Sequence, residues 1–185
     1  MLRIVAVTGM PGAGKSTAAE ALVKKGWTRV IMGDVIRAET KKRGLEPDAK
    51  NTGEVMKLLR KERGEAAVAD LCLEAIEKSK SQNVVVDGIR SMAEVDAFRK
   101  KARTLLVAID ASSTRRFELL SERGRRDDPR SRDMFDERDR RELSVGIGNA
   151  IALADETISN QHATPGELEA EMTRIVDRWE KDASS

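Results

Sequence analysis

The most specific chemical pattern in the chain lies in residues 9–17, which read Gly-Met-Pro-Gly-Ala-Gly-Lys-Ser-Thr. This run fits the spacing G-x-x-x-x-G-K-[ST] of a loop that binds the phosphates of a nucleoside triphosphate. The glycines let backbone N–H groups turn toward the phosphates, the lysine reaches the outer phosphates, and the serine hydroxyl faces Mg²⁺. We therefore predict a nucleotide-binding loop whose members are Gly9, Met10, Pro11, Gly12, Ala13, Gly14, Lys15, Ser16 and Thr17.

The residues on either side of this loop favour a phosphate site over the alternative, a glycine-rich turn that binds nothing. Residues 2–7 are apolar except for Arg3, as in a buried strand, and residues 18–25 favour a helix. This order places the loop at a helix N-terminus, where free N–H groups and the helix dipole attract anions. Lys15 is predicted to serve catalysis as well as binding, because it holds the outer phosphates.

Asp87 is the second candidate for chemistry, because it directly follows three valines at residues 84–86. Three β-branched residues in a row predict a central strand that is buried on both faces. A carboxylate at the end of such a strand can hold Mg²⁺ together with the hydroxyl of Ser16. The alternative is an aspartate that caps a helix or forms a turn.

Arginine is concentrated in one part of the chain, residues 115–141. The arginines of this segment are Arg115, Arg116, Arg123, Arg125, Arg126, Arg130, Arg132, Arg138, Arg140 and Arg141. Gly124 and Pro129 interrupt the helical pattern there, which predicts a loop. Acidic residues alternate with the arginines, so the segment is either a solvated surface of ion pairs or an element that binds phosphate.

Five short apolar or β-branched runs predict the strands that must position these groups. They occupy residues 2–7, 27–32, 84–86, 104–109 and 156–159. Amphipathic segments predict helices at residues 18–25, from residue 33, and at 52–63, 65–80, 91–101, 112–123, 134–153 and 167–181. This alternation predicts an α/β fold, with a mostly parallel five-stranded sheet between two layers of helices. Ligands bind at the carboxyl ends of strands in such sheets, where the loop and Asp87 are expected.

Composition limits the size of the protein and its partners. A chain of 185 residues is expected to form one domain, spanning residues 1–185, and its 34 basic residues nearly balance 32 acidic ones. The net charge of +2 and the aromatic content of 3% argue against nucleic acid as the default partner. No segment approaches the roughly 20 apolar residues of a membrane helix, and no cleavable signal is recognisable, so we expect a cytoplasmic protein without a membrane partner. The oligomeric state is left open.

Two short segments resemble adenylate kinases and related nucleoside monophosphate kinases. Residues 33–37 read Gly-Asp-Val-Ile-Arg, and residues 87–90 read Asp-Gly-Ile-Arg. The second segment lacks the proline of the kinase pattern and is one residue shorter. The resemblance implies that Arg37 and Arg90 bind the phosphate of the acceptor by bidentate hydrogen bonds, with Asp87 beside them in the substrate site.

The same resemblance implies a helical region for the acceptor, at about residues 33–80. Asp34 lies at its start and belongs to the implied substrate site. It is expected to orient the acceptor, or to act as a base when the acceptor group is a hydroxyl. A base is less necessary when the acceptor is a phosphate.

Residues 124–133 resemble the short lid of these kinases. The resemblance implies that Arg123, together with Arg138 or Arg141, closes over the phosphoryl group during transfer, neutralises its charge and excludes water. Adenylate kinases commonly have a further arginine one helical turn before the position of Arg123. This chain has Leu119 there, so its contacts with the donor base are expected to differ.

Residues 154–160 resemble the end of dephospho-CoA kinases, and the whole chain resembles archaeal adenylate-kinase-related proteins of the P-loop superfamily. The resemblance implies a phosphotransferase that uses ATP and Mg²⁺ and acts on a small phosphorylated acceptor, first of all a nucleoside monophosphate. Dephospho-CoA kinase is the second enzyme hypothesis. A third hypothesis, of another class, is a nucleotide-dependent switch or assembly ATPase that binds RNA or a protein.

Overall fold

Five parallel strands form the centre of the molecule. In this computed structural model, which describes residues 1–124 and 128–182, they lie in the order β2-β3-β1-β4-β5. The strands are β1 (Arg3–Thr8), β2 (Thr28–Ile31), β3 (Asn83–Ile89), β4 (Arg103–Asp110) and β5 (Glu156–Ser159). All neighbouring pairs among them are parallel. The predicted α/β class is confirmed, and the sheet is wholly rather than mostly parallel over the described residues.

Alternate residues of each strand face opposite sides of the sheet, and both sides are buried. In β1, Ile4 belongs to one apolar core and Val5 to the other. Val5 is aligned with Val85 of β3 and with Leu105 of β4. These three side chains and that of Ile4 are all buried. Near-continuous apolar runs are therefore needed in the central strands, which is why the valines at residues 84–86 predicted β3 correctly.

Helices cover both faces of this sheet. They are α1 (Lys15–Lys24), α2 (Met32–Lys42), α3 (Ala49–Arg63), α4 (Ala67–Ser79), α5 (Met92–Arg99), α6 (Ser113–Arg123), α7 (Arg132–Val145), α8 (Ile147–Ala152) and α9 (Pro165–Lys181). The core on one side is built with α1 and α9, and the core on the other side with α2, α3, α4, α5 and α8. Most predicted helices are present, with starts that differ by up to three residues.

Side chains at the helix starts explain where several helices begin. Ser91 caps α5 and forms a reciprocal capping box with Glu94, and Thr164 does the same for α9 with Glu167. Ser112 caps α6 through a side chain that accepts from the backbone N–H of Arg115. These caps fix the chain at the points where α5, α6 and α9 leave the carboxyl edge of the sheet.

The predicted lid, residues 124–133, is described at residue 124 and from residue 128 onward. Arg125, Arg126 and Asp127 lie outside the described residues. The extent of the lid, of the acceptor region and of the single domain stays a prediction. Within the described residues, no helix has the length and apolar character needed to span a membrane.

A glycine substitution in the loop after β1 tests how closely this loop packs on β4. Gly9 has φ +143°, and a Cβ atom there would overlap the backbone oxygen of Ile109. We expect Gly9→Ala to lower the free energy of unfolding by about 1–3 kcal/mol, measured by urea denaturation, because the strained backbone cannot move away from another backbone.

Gly53→Ala is the matched control for this substitution. Gly53 lies within α3, and a Cβ atom there would meet no described atom within 4 Å. Alanine favours a helix over glycine, so this variant should raise the free energy of unfolding by about 0.5–1 kcal/mol. A G9A protein as stable as the wild type would contradict the close packing of the loop.

Candidate functional site

A cavity of about 600 Å³ lies at the carboxyl ends of β1, β2 and β3. The phosphate loop forms one part of its wall, the ends of β2 and β3 a second, and α6, α7 and the start of α9 a third. The charged and hydroxyl residues that line it are Lys15, Ser16, Thr17, Arg37, Asp87, Arg90, Arg115, Glu122, Arg123, Arg138 and Glu142. Candidate groups from distant parts of the sequence are thus brought to one site.

Two buried side chains fix the shape of the phosphate loop, and sequence reasoning assigned no role to either. Asn160 donates from Nδ2 to the backbone oxygen of Ala13 at 2.9 Å. Arg116 donates from Nη1 to the backbone oxygen of Pro11 at 3.0 Å. Gly14 has φ +103°, and a Cβ atom there would overlap the Asn160 amide. The glycine spacing therefore reflects close packing as well as the approach of a ligand.

Not all loop residues face the cavity. Gly9, Pro11, Gly12, Gly14, Lys15, Ser16 and Thr17 line it. Met10 and Ala13 are outside this lining, and Ala13 is buried in the core. Their backbone oxygens accept hydrogen bonds that stabilise the loop: the oxygen of Met10 accepts from Lys15, and the oxygen of Ala13 accepts from Asn160.

The ammonium group of Lys15 is folded back onto its own loop. Its Nζ donates to the backbone oxygens of Gly9 at 2.7 Å and Met10 at 3.1 Å. Burial lowers the pKa of Lys15 to about 8, although the negative charges of Asp87 and Glu142 act in the opposite direction. The positive charge of Lys15 is thus costly where it lies, and an anionic ligand would stabilise it.

Asp87 lies within β3, two residues before the strand ends at Ile89, so the strand continues past the end predicted at residue 86. Its carboxylate is shared by two donors. Its Oδ2 accepts from Ser16 Oγ at 3.2 Å and from Nη2 of Arg29 at 2.5 Å. The carboxylate and hydroxyl oxygens fit Mg²⁺, which commonly takes one or two protein oxygens beside substrate phosphates. Arg29, on the neighbouring strand β2, was missed, because nothing in its local sequence indicates a partner on β3.

Some proteins hold a metal ion entirely by protein side chains, unlike the proposed Mg²⁺ site, in which substrate phosphates supply further ligands. Within residues 1–124 and 128–182 no three His, Cys, Asp or Glu side chains come together in a way that could hold an ion. The pair formed by Ser16 and Asp87 is therefore the oxygen set that the cavity offers next to the phosphate loop.

The two arginines expected to bind the acceptor both line the cavity, and each already has an acidic partner. Arg37 forms an ion pair with Asp34 one helical turn away, in an exposed position. Asp34 itself is outside the cavity lining, and its role in the substrate site stays a prediction. Nε of Arg90 donates to Glu142 at 2.9 Å. Burial would lower the pKa of Arg90, but the charge and hydrogen bond of Glu142 outweigh burial and raise it.

Helix α7 turns one face toward the cavity. Phe135 is fully buried, Asp139 forms a bidentate pair with Arg116 at 2.9 and 2.5 Å, and the Arg116 guanidinium lies 4.9 Å from the ring centre of Phe135. These contacts connect α7 to α6 and, through Pro11, to the phosphate loop. Glu142, one turn further along α7, is thereby directed into the cavity.

The lid arginines are placed differently from one another. Arg123, at the end of α6, bonds to Asp128, and Arg138 lies 3.9 Å from the same carboxylate. Both arginines line the cavity. Arg141 is exposed and outside the lining. Of the two alternatives offered by the sequence, Arg138 lines the cavity and Arg141 does not, and the role of either one stays a prediction.

Part of the cavity lining is apolar. It includes Leu119 and Leu120 of α6 together with Ala163 and Pro165, and Arg115 lies one turn before Leu119. Nε of Arg115 is buried and has no hydrogen-bond partner among the described atoms. Leu119 was noted as a departure from the kinase pattern. Arg115, on the same face of α6, was not singled out.

Both the sequence and the fold have known relatives. A family model described as AAA domain matches residues 8–136 of the chain. A UPF0200 protein of Methanocaldococcus jannaschii is 45% identical over 183 residues, which cover 96% of this chain and 93% of the relative.

Solved structures show the same fold at much lower identity. A Thermus thermophilus protein matches with a TM-score of 0.66 at 18% identity, over 96% of this chain and 97% of its own. Shikimate kinase from Bacteroides thetaiotaomicron matches with a TM-score of 0.60 at 16% identity, over 97% and 98%. These likenesses establish a P-loop kinase fold and leave the acceptor open.

The buried ammonium of Lys15 generates a prediction about pH. Phosphates favour the charged form, so the affinity for ATP should fall as the pH rises above about 8 and Lys15 loses its proton. Titration calorimetry should show affinity about tenfold weaker at pH 9 than at pH 7, since pH 9 is one unit above that pKa. Proton uptake should accompany binding in this range.

Lys15→Arg is the control, because a guanidinium stays charged throughout this range. The variant should bind ATP with an affinity that changes little between pH 7 and pH 9. Equal wild-type affinities at the two pH values would show that the Lys15 charge does not hold the nucleotide.

Proposed function

The chain belongs to the family described as AAA domain and to the UPF0200 proteins, and from this premise we propose that it transfers a phosphoryl group from ATP to a small nucleotide-like acceptor. A nucleoside monophosphate is the favoured acceptor, and Mg²⁺ is the favoured metal. One observation carries the proposal: a single cavity is lined by the phosphate loop and also by five arginines, of which Arg37, Arg90, Arg123 and Arg138 are assigned to phosphate groups here. The P-loop kinase fold agrees with it.

The donor half of the proposed site is the phosphate loop with the start of α1. Backbone N–H groups at this helix start, the Lys15 ammonium and the helix dipole would hold the β and γ phosphates. Ser16 and Asp87 would hold Mg²⁺, and the bound ion would supply positive charge to the phosphate oxygens. The ATP base would lie against the apolar wall of Leu119, Ala163 and Pro165, with the Arg115 guanidinium at its edge.

The acceptor half of the proposed site is formed by Arg37 and Arg90. They follow β2 and β3, the two strands on one side of β1, so they reach the cavity from the same side. Guanidinium groups bind phosphate oxygens by paired hydrogen bonds, which hold the acceptor in a fixed orientation. A hydrolase needs only water as its acceptor, so two arginines at this position favour transfer.

No covalent intermediate with the protein is required. An oxygen of the acceptor attacks the γ phosphorus, the bond to the β-γ bridging oxygen breaks, and ADP leaves with the negative charge. Arg138 and Arg123 would neutralise the charge that develops on the transferring oxygens, and positioning supplies the remainder. Arg141 has no part in this scheme, because it is exposed outside the cavity.

The decisive experiment is a coupled assay of ADP release with ATP and Mg²⁺ over a panel of acceptors. The panel holds the nucleoside monophosphates, dephospho-CoA and simple alcohols. We expect a monophosphate to stimulate ADP release, and Lys15→Met to abolish this turnover while the protein stays folded by circular dichroism, because the phosphates lose their cation. Fully active K15M would contradict the role of the loop.

Other outcomes of the same panel separate the alternatives. Stimulation by dephospho-CoA alone would replace the favoured acceptor by a ribose hydroxyl. RNA or a protein can be added to the same assay. ATP hydrolysis that responds to either one, and to no small acceptor, would support a nucleotide-dependent switch instead, with salt-sensitive binding in the case of RNA. A cytoplasmic location stays a prediction in each case.

Arg37 offers a test of the acceptor half alone. Arg37→Ala removes a cavity cation that is half exposed, so the fold should be unaffected. We expect the KM for the acceptor to rise at least tenfold, with a smaller change in kcat and in the KM for ATP, since a residue that only binds the acceptor affects ground and transition states alike. Lys42→Ala, an exposed cation at the end of α2, is the control. Equal kinetics for R37A and K42A would remove Arg37 from the site.

A further inference from the structure

Glu142 of α7 is a charged cavity residue that has no place in the proposed transfer step. Its Oε2 accepts from Arg90 at 2.9 Å, and its side chain is only 13% exposed. Glu142 and Arg90 line the cavity together with Lys15 and Arg138. The Glu142 carboxylate therefore lines the same cavity as Lys15, Arg90 and Arg138, three of the cations that are proposed to bind phosphate groups.

The neighbouring cations keep this carboxylate ionised. Burial would raise the pKa of Glu142, but the charge and hydrogen bond of Arg90 outweigh burial and lower the pKa, and the charges of Lys15 and Arg138 add to this effect. Glu142 in turn offsets the repulsion between cations that face one cavity. Its negative charge is therefore a built part of the site.

The backbone of α7 is anchored from outside the cavity. Asp139 is held by Arg116, which also bonds to the phosphate loop through the oxygen of Pro11. Glu142 is three residues beyond Asp139 on the same helix. Its carboxylate can therefore leave Arg90 by rotation of its own side chain, while α7 stays in place.

A phosphate and the Glu142 carboxylate compete for Arg90, because both require its N–H donors and the two anions repel each other. A tethered group competes at an effective concentration on the order of millimolar. A free carboxylate carries no more charge than Glu142, and an alcohol carries none. A phosphate monoester dianion carries two charges and can displace the side chain.

From this competition we infer that Glu142 sets the class of acceptor: it reserves Arg90 for phosphate monoester dianions and excludes carboxylates and unphosphorylated alcohols. Glu142 is thus a specificity residue, which acts by occupying the acceptor subsite. The inference rests on the proposed function through the role of Arg90 alone. It does not depend on which nucleoside carries the phosphate.

Binding of inorganic phosphate by the full chain tests the inference directly. The protein is saturated with Mg²⁺ and a non-hydrolysable ATP analogue, and phosphate is titrated at pH 8, where it is a dianion. Glu142→Gln should bind phosphate about tenfold more tightly than the wild type, because one competing like charge is removed. Glu137→Gln, an exposed carboxylate on the same helix, should bind as the wild type does.

Acetate provides the specificity readout. The wild type should not bind it measurably, and E142Q should bind it, so that the preference for phosphate over acetate falls. A Glu142 that merely positions Arg90 would give the opposite result, with weaker phosphate binding in E142Q. That outcome, or an affinity for phosphate equal to that of the wild type, would overturn the inference.

Two further variants keep the interpretation clear. In Arg90→Met, adding E142Q should produce no gain in phosphate affinity, which assigns the gain to Arg90. If E142Q lowers the melting temperature, Glu142→Asp replaces it; the shorter side chain should release Arg90 and give a smaller gain. Failure of the ATP analogue to bind would refute the proposed function instead, and phosphate titration without nucleotide, compared between E142Q and the wild type, would still test the role of Glu142.

Discussion

The Lys15 ammonium is buried against the backbone oxygens of its own loop, and the residues around it are arranged by that charge. Two carboxylates, Asp87 and Glu142, offset it, whereas Arg90 and Arg138 oppose it. Burial alone would make such a cluster unstable, because charged groups lose hydration in the interior. The cluster is stable because backbone carbonyl groups and carboxylates accept hydrogen bonds from the cations.

The sequence predicted the sheet and the loop because both depend on local pattern. Strands buried on two faces require continuous apolar runs, so the valines at residues 84–86 identified β3 and placed Asp87 near its carboxyl end. The phosphate loop was recognisable because its glycines and its lysine occur at fixed spacing. Neither pattern depends on which residues meet from distant parts of the chain.

The missed residues are those defined by long-range contact. Arg29, Arg116 and Asn160 act on the loop or on Asp87 from another strand, helix or turn, and no local pattern indicates such partners. Helical spacing did carry one signal that could have been used. A face of α7 that contains buried Phe135 also contains Arg138 three residues later, and it excludes Arg141.

The sequence left two readings of the arginine-rich segment at residues 115–141, a surface of ion pairs or a phosphate site, and in the structure ion pairs occur on residues of this segment that line the cavity. Within the segment Arg123 pairs with Asp128, and other arginines near the site have acidic partners too: Arg29 has Asp87, Arg37 has Asp34, and Arg90 has Glu142. A carboxylate carries one negative charge and a phosphate monoester dianion carries two. The same guanidinium can therefore bind either anion, and it binds the dianion more strongly. Acidic partners of this kind stabilise a site that contains several cations. They belong to the 32 acidic residues that balance 34 basic ones and leave a net charge of +2. On the proposed function, a phosphate that enters the cavity would take the place of Glu142 as the partner of Arg90.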